Sequence, residues 1–147
     1  GAMIEVPAAA LMADKIMPHL DFVSIGTNDL TQYTMAADRL SPQLAYLTDP
    51  WQPAVLRLIQ HTCIVGQANN VAVGVCGEAA ADPMLACVLT GLGVNSLSAA
   101  STAVAGVGAQ LAEVTLEQSQ QLAEVALDAE SPDAARTAVV ETMASFA

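Results

Sequence analysis

Four short apolar segments, each followed by a helical pattern and each stopping at polar or acidic residues, constrain this chain most. The third reads Val71-Ala72-Val73-Gly74-Val75 and ends at Cys76-Gly77-Glu78. Strands that alternate with helices pair in parallel, because each crossover returns the chain to the same end of the sheet. In such folds ligands and chemistry collect just past the carboxyl ends of the strands. A thiol, a glycine and a carboxylate at one strand end are placed to react. Four polar strand ends imply one shared site.

The first unit reads as a strand over Met3–Val6 and a helix from Pro7 to about Met17, stopped by Pro18. The second is Phe22–Ile25, closed by Gly26, with Asn28 or Asp29 capping a helix over Leu30–Ala37. A longer connection carries Arg39, Pro42, Pro50 and Trp51, and a helix follows from Pro53 to about Ala68. Its apolar side holds Val55, Leu56, Leu58, Ile59 and Cys63. The third strand ends at Cys76. Asp82-Pro83 opens the next helix, which Gly91 and Gly93 close. Val94–Ser98 is the fourth strand, with a short helix from about Thr102 to Leu111. The tail is helical: Thr115 and Gln118 form a capping-box pattern for a helix to about Ala129, and Ser131-Pro132 starts the last one.

The fold class is therefore α/β, with four β-α units over residues 1–112 and a helical extension over 113–147. Four units are half of an eight-unit (β/α)8 barrel of about 250 residues. A small doubly wound sheet is the alternative, and the half-barrel is preferred. Only 3% of residues are aromatic against 54% apolar, so Ala, Val and Leu must do the packing.

Charge narrows the partners. The net charge is -11, and only Lys15, Arg39, Arg57 and Arg136 are positive. Nucleic acid and anionic membrane surfaces both require clustered cations, so neither is expected. No apolar run approaches the roughly 20 residues that span a bilayer, and no charged-then-apolar leader opens the chain. Three cysteines without paired spacing read as reduced thiols in a cytoplasmic protein.

Glu5 is expected inside an apolar strand covered on both faces, where a lone carboxylate needs a cation or a proton. It is a metal-ligand candidate, or it pairs with Arg39 or reaches the rim. Asn28-Asp29 follows Gly26, whose backbone freedom would let the main chain approach a ligand. Helix-start amides there favour an anion, and Asp29 could hold a hard cation, although plain capping explains both residues. Arg39 could grip a phosphate or carboxylate, whereas Arg57 and Arg136 are expected to face water. Cys76 is either a packed small hydrophobe, as expected of Cys63 and Cys87, or an acid, base or nucleophile. His19 and His61 should lie on the opposite rim or outer ring, which favours proton donation by a neutral thiol over a Cys-His pair. Glu78 would tune that thiol or start the next turn. The pair Gly91 and Gly93 reads as a helix stop.

Several stretches occur in the order of one family: Ile4–Ala10, Ser24–Thr34, Ala37-Asp38-Arg39 and Cys76-Gly77-Glu78. They resemble the carboxyl-terminal, phosphoenolpyruvate-binding domain of phosphoenolpyruvate-protein phosphotransferase, Enzyme I of the bacterial sugar phosphotransferase system. Pyruvate phosphate dikinase and phosphoenolpyruvate synthase belong to the wider family. The run from Tyr33 to Arg39 is closer to Enzyme I. The resemblance implies the second half of a (β/α)8 barrel in which Glu5 and Asp29 ligate Mg2+. It implies that Asn28 and Asp29 meet phosphoenolpyruvate through their amides and that Arg39 binds it. Cys76 would protonate the enolate to give pyruvate while the phosphoryl group leaves for a histidine.

Two departures stand out. Ala79 and Ala81 replace the Met and Gly usual after the Cys-Gly-Glu run, and Ala103–Gln110 lacks the basic residues often found there. The family's acceptor histidine lies in a separate amino-terminal domain, which passes the phosphoryl group to a phosphocarrier protein. Further substrate arginines lie on the barrel's first half. The expectation is that this chain alone does not turn over phosphoenolpyruvate, and that it forms a homodimer, as the family does through this domain. The competing readings are the dikinase branch and a non-catalytic dimerisation module.

Overall fold

A computed structural model describes residues 1–146. Four parallel strands form one sheet: β1 (Ala2–Ile4), β2 (Phe22–Gly26), β3 (Ala72–Cys76) and β4 (Ser96–Ser98). Their order is β1-β2-β3-β4, each strand beside the one before it. A doubly wound sheet reverses its order at a switch point, so that alternative is set aside. The arrangement is α/β and consistent with half a barrel.

The helices are α1 (Pro7–Leu11), α2 (Ala13–Ile16), α3 (Thr27–Thr34), α4 (Pro53–Asn69), α5 (Pro83–Gly91), α6 (Ser101–Ala112), α7 (Leu116–Asp128) and α8 (Pro132–Ala144). Short 3-10 turns cover Met17–His19, Pro42–Leu44 and Glu78–Ala81. The sheet is covered on one face, not on both as expected. Val23, Ile25, Val73 and Val75 are buried under the helices, while Phe22 and Ala72, one position out of step, are exposed. Side chains alternate along a strand, so the second face, with Met3, Phe22, Ser24, Ala72 and Ser96, is open.

One cluster of buried residues runs from Ile4 on β1 to Val139 on α8. In α4, Val55, Leu56, Ile59, Cys63 and Gly66 recur at helical spacing and are buried. Asn70, in the left-handed region, ends that helix by donating its N–H to the Gln67 and Gly66 carbonyls. Leu122, Ala123, Ala126, Ala135 and Val139 bring the tail helices into the same core. A fully buried leucine such as Leu122 contributes on the order of 2 kcal/mol.

Local boundaries depart from expectation in informative places. β1 ends at Ile4, so Glu5 is half-buried just past the strand rather than enclosed within it. The first helix breaks at Met12 into α1 and α2, and Pro18 lies within a 3-10 turn that ends before the extended Leu20. α3 starts at Thr27 with Gly26 at its N-cap, so neither Asn28 nor Asp29 caps it; both lie in its first turn. It stops early because Ala36 turns left-handed (φ 50°) and Ala37 N–H bonds back to the Gln32 carbonyl. Cys76 is the last residue of β3.

Arg57 and Arg136 do more than face water. Arg57 Nη2 donates to the Leu127 carbonyl at 2.7 Å, at the end of α7. Arg136 on α8 grips Asp49 with both guanidinium arms, at 2.7 and 2.8 Å, and stacks over Trp51. Trp51 in turn donates from Nε1 to Asp82 at 2.8 Å, and Asp82 caps α5 through Met84 N–H and Leu85 N–H. These bonds pin the end of the connection that carries Arg39.

Candidate active site at the strand ends

The carboxyl ends of all four strands and the first turn of α3 meet at one end of the sheet. Ile4 pairs with Ile25, Gly26 with Cys76, and Cys76 with Ser98. One residue beyond the first pair, Glu5 therefore falls level with Gly26 and Cys76. Its carboxylate lies across Gly26: a Cβ built there would stand 2.7 Å from Glu5 Oε1. Gly26 has an ordinary φ of -84°, so the glycine provides space for the carboxylate and not the backbone freedom expected of it.

The turn bearing the thiol is tied to α3. Thr27 Oγ1 donates to the Cys76 carbonyl at 2.8 Å, and Glu78 N–H donates to Asn28 Oδ1 at 3.1 Å. Between them Gly77 has φ 93°, a conformation that L side chains rarely adopt. The Cys76 thiol is half-buried and donates to the Ile25 carbonyl at 3.5 Å. Glu78 starts the 3-10 turn and is exposed.

Asp29 is half-buried in the first turn of α3, and Arg39 Nη1 approaches its Oδ2 at 3.4 Å. Arg39 thus reaches Asp29, and its main-chain N–H donates to Gln32 Oε1 at 3.2 Å. The ion pair is exposed and worth little by itself. Asn28, Arg39, Leu40, Thr48 and Glu78 line a cleft of ≈ 430 Å³. A helix start and a guanidinium on one cleft suit an anion.

The other thiols behave differently. Burial pushes the Cys63 thiol up from 9.0 to about 12. Burial, and then the Asp82 charge, push Cys87 up as well. Both are packed side chains, as expected. His19 is exposed in the turn before β2, at the far end from Gly26, and His61 is exposed on α4. Neither stands at the strand ends, so Cys76 has no histidine partner there.

Among the described residues no three His, Cys, Asp or Glu side chains form a preassembled metal cluster. Glu5 and Asp29 offer hard oxygen donors, the first against Gly26 and the second in the first turn of α3, where it meets Arg39. Mg2+ commonly takes one or two carboxylates and completes its shell with water and substrate phosphate. The donor set fits that ion.

The sequence reading missed Thr27 and the side-chain role of Asn28. The signal lay in their position directly after a strand-ending glycine, where a helix-start hydroxyl or amide faces the neighbouring strand end. No sequence pattern announced the Asp49–Arg136–Trp51–Asp82 brace, because its members are up to 87 residues apart.

A family described as PEP-utilising enzyme, PEP-binding domain, matches residues 1–116. The phosphoenolpyruvate-protein phosphotransferase of Streptomyces coelicolor is 51% identical over 138 residues, covering 94% of this chain and 25% of that protein. The protein of the same name from Geobacillus stearothermophilus is 45% identical over 127 residues, 86% of this chain and 22% of its own length. A multiphosphoryl transfer protein of Rhodobacter capsulatus is 50% identical over 127 residues, 86% of this chain and 15% of its own. The chain spans a quarter or less of the length of these relatives. Among its described residues no helix is long and apolar enough to cross a membrane.

Proposed function

Because the chain belongs to the PEP-binding domain family of the PEP-utilising enzymes, we propose that it supplies half of the site of a phosphotransferase. That enzyme moves the phosphoryl group of phosphoenolpyruvate to one of its own histidines and releases pyruvate. The reading is supported by the Glu5 carboxylate and Cys76 flanking Gly26, with Asn28 bonded to Glu78 beyond Cys76 and Asp29 paired with Arg39. Sequential strand order and an uncovered sheet face support a half of a (β/α)8 barrel, completed by upstream sequence.

In the reaction the enol O–P bond breaks, the phosphoryl group passes to the histidine nitrogen, and the electron pair stays on the enolate. Arg39 and the Asn28 and Asp29 amides would hold the phosphoryl oxygens, where charge must be balanced. Glu5 and Asp29 would hold Mg2+, which supplies charge neutralisation at the phosphate and enolate oxygens when bound. The neutral Cys76 thiol would give its proton to the enolate carbon, completing pyruvate, and regain one from solvent. The acceptor histidine, the remaining substrate arginines and the phosphocarrier protein lie outside this chain. The setting is sugar uptake in the cytoplasm, and self-association to a homodimer belongs to the same reading, since the outer strands β1 and β4 are each paired on one side only.

In the complete enzyme, Cys76→Ala is expected to lower pyruvate formation roughly 10²- to 10⁴-fold while phosphoenolpyruvate still binds. Glu5→Gln should raise the Mg2+ concentration required. Normal turnover by the Cys76→Ala enzyme would refute the proton-donor assignment.

A further inference from the structure

Thr27 is 1% exposed, yet it caps nothing in its own helix. Its hydroxyl is committed to a carbonyl 49 residues away, that of Cys76, at 2.8 Å. The adjacent Asn28 accepts from Glu78 N–H at 3.1 Å. Gly77 lies between these two bonds so closely that an added Cβ would stand 2.9 Å from both Thr27 Oγ1 and Asn28 Oδ1. Two consecutive residues of α3 thus hold both ends of the Cys76-Gly77-Glu78 turn, and the next residue along α3 is Asp29. Cys76 is held by strand pairing with Gly26 and with Ser98, by its thiol on the Ile25 carbonyl, and by the Thr27 hydroxyl.

We propose that Thr27 is a positioning residue that sets the Cys76 thiol relative to the carboxylate of Asp29. The inference rests on the reading of Cys76 as the proton donor. A half-buried carbonyl that loses its donor seeks another, and the turn moves to find one. Proton transfer needs heavy atoms within hydrogen-bond reach, and displacement of about 1 Å can cost on the order of 100-fold in rate. The substrate-binding atoms of α3 are untouched by this loss, so affinity should hold while turnover falls.

The test uses the complete enzyme with Thr27→Val, Thr27→Ser and Cys76→Ala. Thr27→Val, nearly isosteric but without the hydroxyl, should lower kcat roughly 10- to 100-fold and leave KM for phosphoenolpyruvate and the Mg2+ requirement within about threefold. Thr27→Ser should restore kcat, and the iodoacetamide alkylation rate of Cys76 should shift in Thr27→Val and return in Thr27→Ser. A wild-type kcat in Thr27→Val, an equal loss in Thr27→Ser, or a loss that tracks the folded fraction by circular dichroism would overturn the proposal. Cys76→Ala separates the two ideas. If that variant turns over normally, the proton-donor reading fails and this inference falls with it. If it is inactive while Thr27→Val is normal, only the role of Thr27 fails.

Discussion

At the strand ends, the Thr27 and Asn28 side chains hydrogen-bond the main chain of Cys76 and of Glu78 respectively. Behind the sheet, α5 and α7 meet as apolar surfaces, with Leu85, Leu89, Leu122 and Ala126 sealed from solvent. Gly91 of α5 lies so close to the Ser119 carbonyl that no side chain fits between them. Each region depends on a tight glycine, for a different reason. At the back, volume is the constraint, because two backbones approach each other. At Gly77 the constraint is dihedral angle, and its neighbours are the Thr27 and Asn28 side-chain oxygens that hold the turn. Stability is concentrated behind the sheet, whereas the strand ends hold the residues to which chemistry is assigned by proposal.

The sharpest way to break this contrast is a pair of substitutions. Gly91→Val should cost roughly 3 kcal/mol or more in urea unfolding, because neither backbone can retreat. Gly77→Ala should cost less, about 1–3 kcal/mol for a backbone conformation nearly confined to glycine, yet change the alkylation rate of Cys76. Equal losses of stability at both positions would erase the distinction.

The thiols give a second, smaller test. In the native protein Cys76 should react with iodoacetamide, and Cys63 and Cys87 only after unfolding. The Cys63 thiol ionises near 9.0 when unfolded and at about 12 when folded. Its contribution is therefore complete below pH 9 and is lost progressively as pH rises towards 12. Cys63→Ala should flatten the fall in stability across that window, measured by denaturant titration at several pH values. An unchanged slope would show that the core opens there for another reason.

The smallest expected effect is at the brace between the two regions. Arg136→Lys keeps the charge but loses the two-armed grip on Asp49 and the stack on Trp51, at a cost of about 1 kcal/mol. A larger loss would place the brace within the core's energetics rather than at its margin.

Much of this was legible in the order of residues. Alternating strand and helix patterns, Pro53 opening α4, Asp82-Pro83 opening α5 and the capping box at Thr115 and Gln118 all appear in the structure. Those features are local: a cap or a prolyl residue acts within one turn. The end of α3 was not legible, because alanine at position 36 gives no sign of a left-handed turn. The placement of Glu5 was also misread. An apolar run suggested enclosure, but β1 ends one residue earlier and the sheet face beyond it is open.

By itself the sequence determined the class of fold, the positions of its helices, and which acidic and thiol groups stand at strand ends. Periodicity and caps are short-range signals, readable without knowing what lies across the molecule. Tertiary structure alone decided that Gly26 makes room for a carboxylate, that Thr27 holds the main chain of Cys76, and that Arg136 secures the tail to Asp49. Each of those depends on groups far apart in the chain, and only the packing of strands, helices and connections brings them within bonding distance.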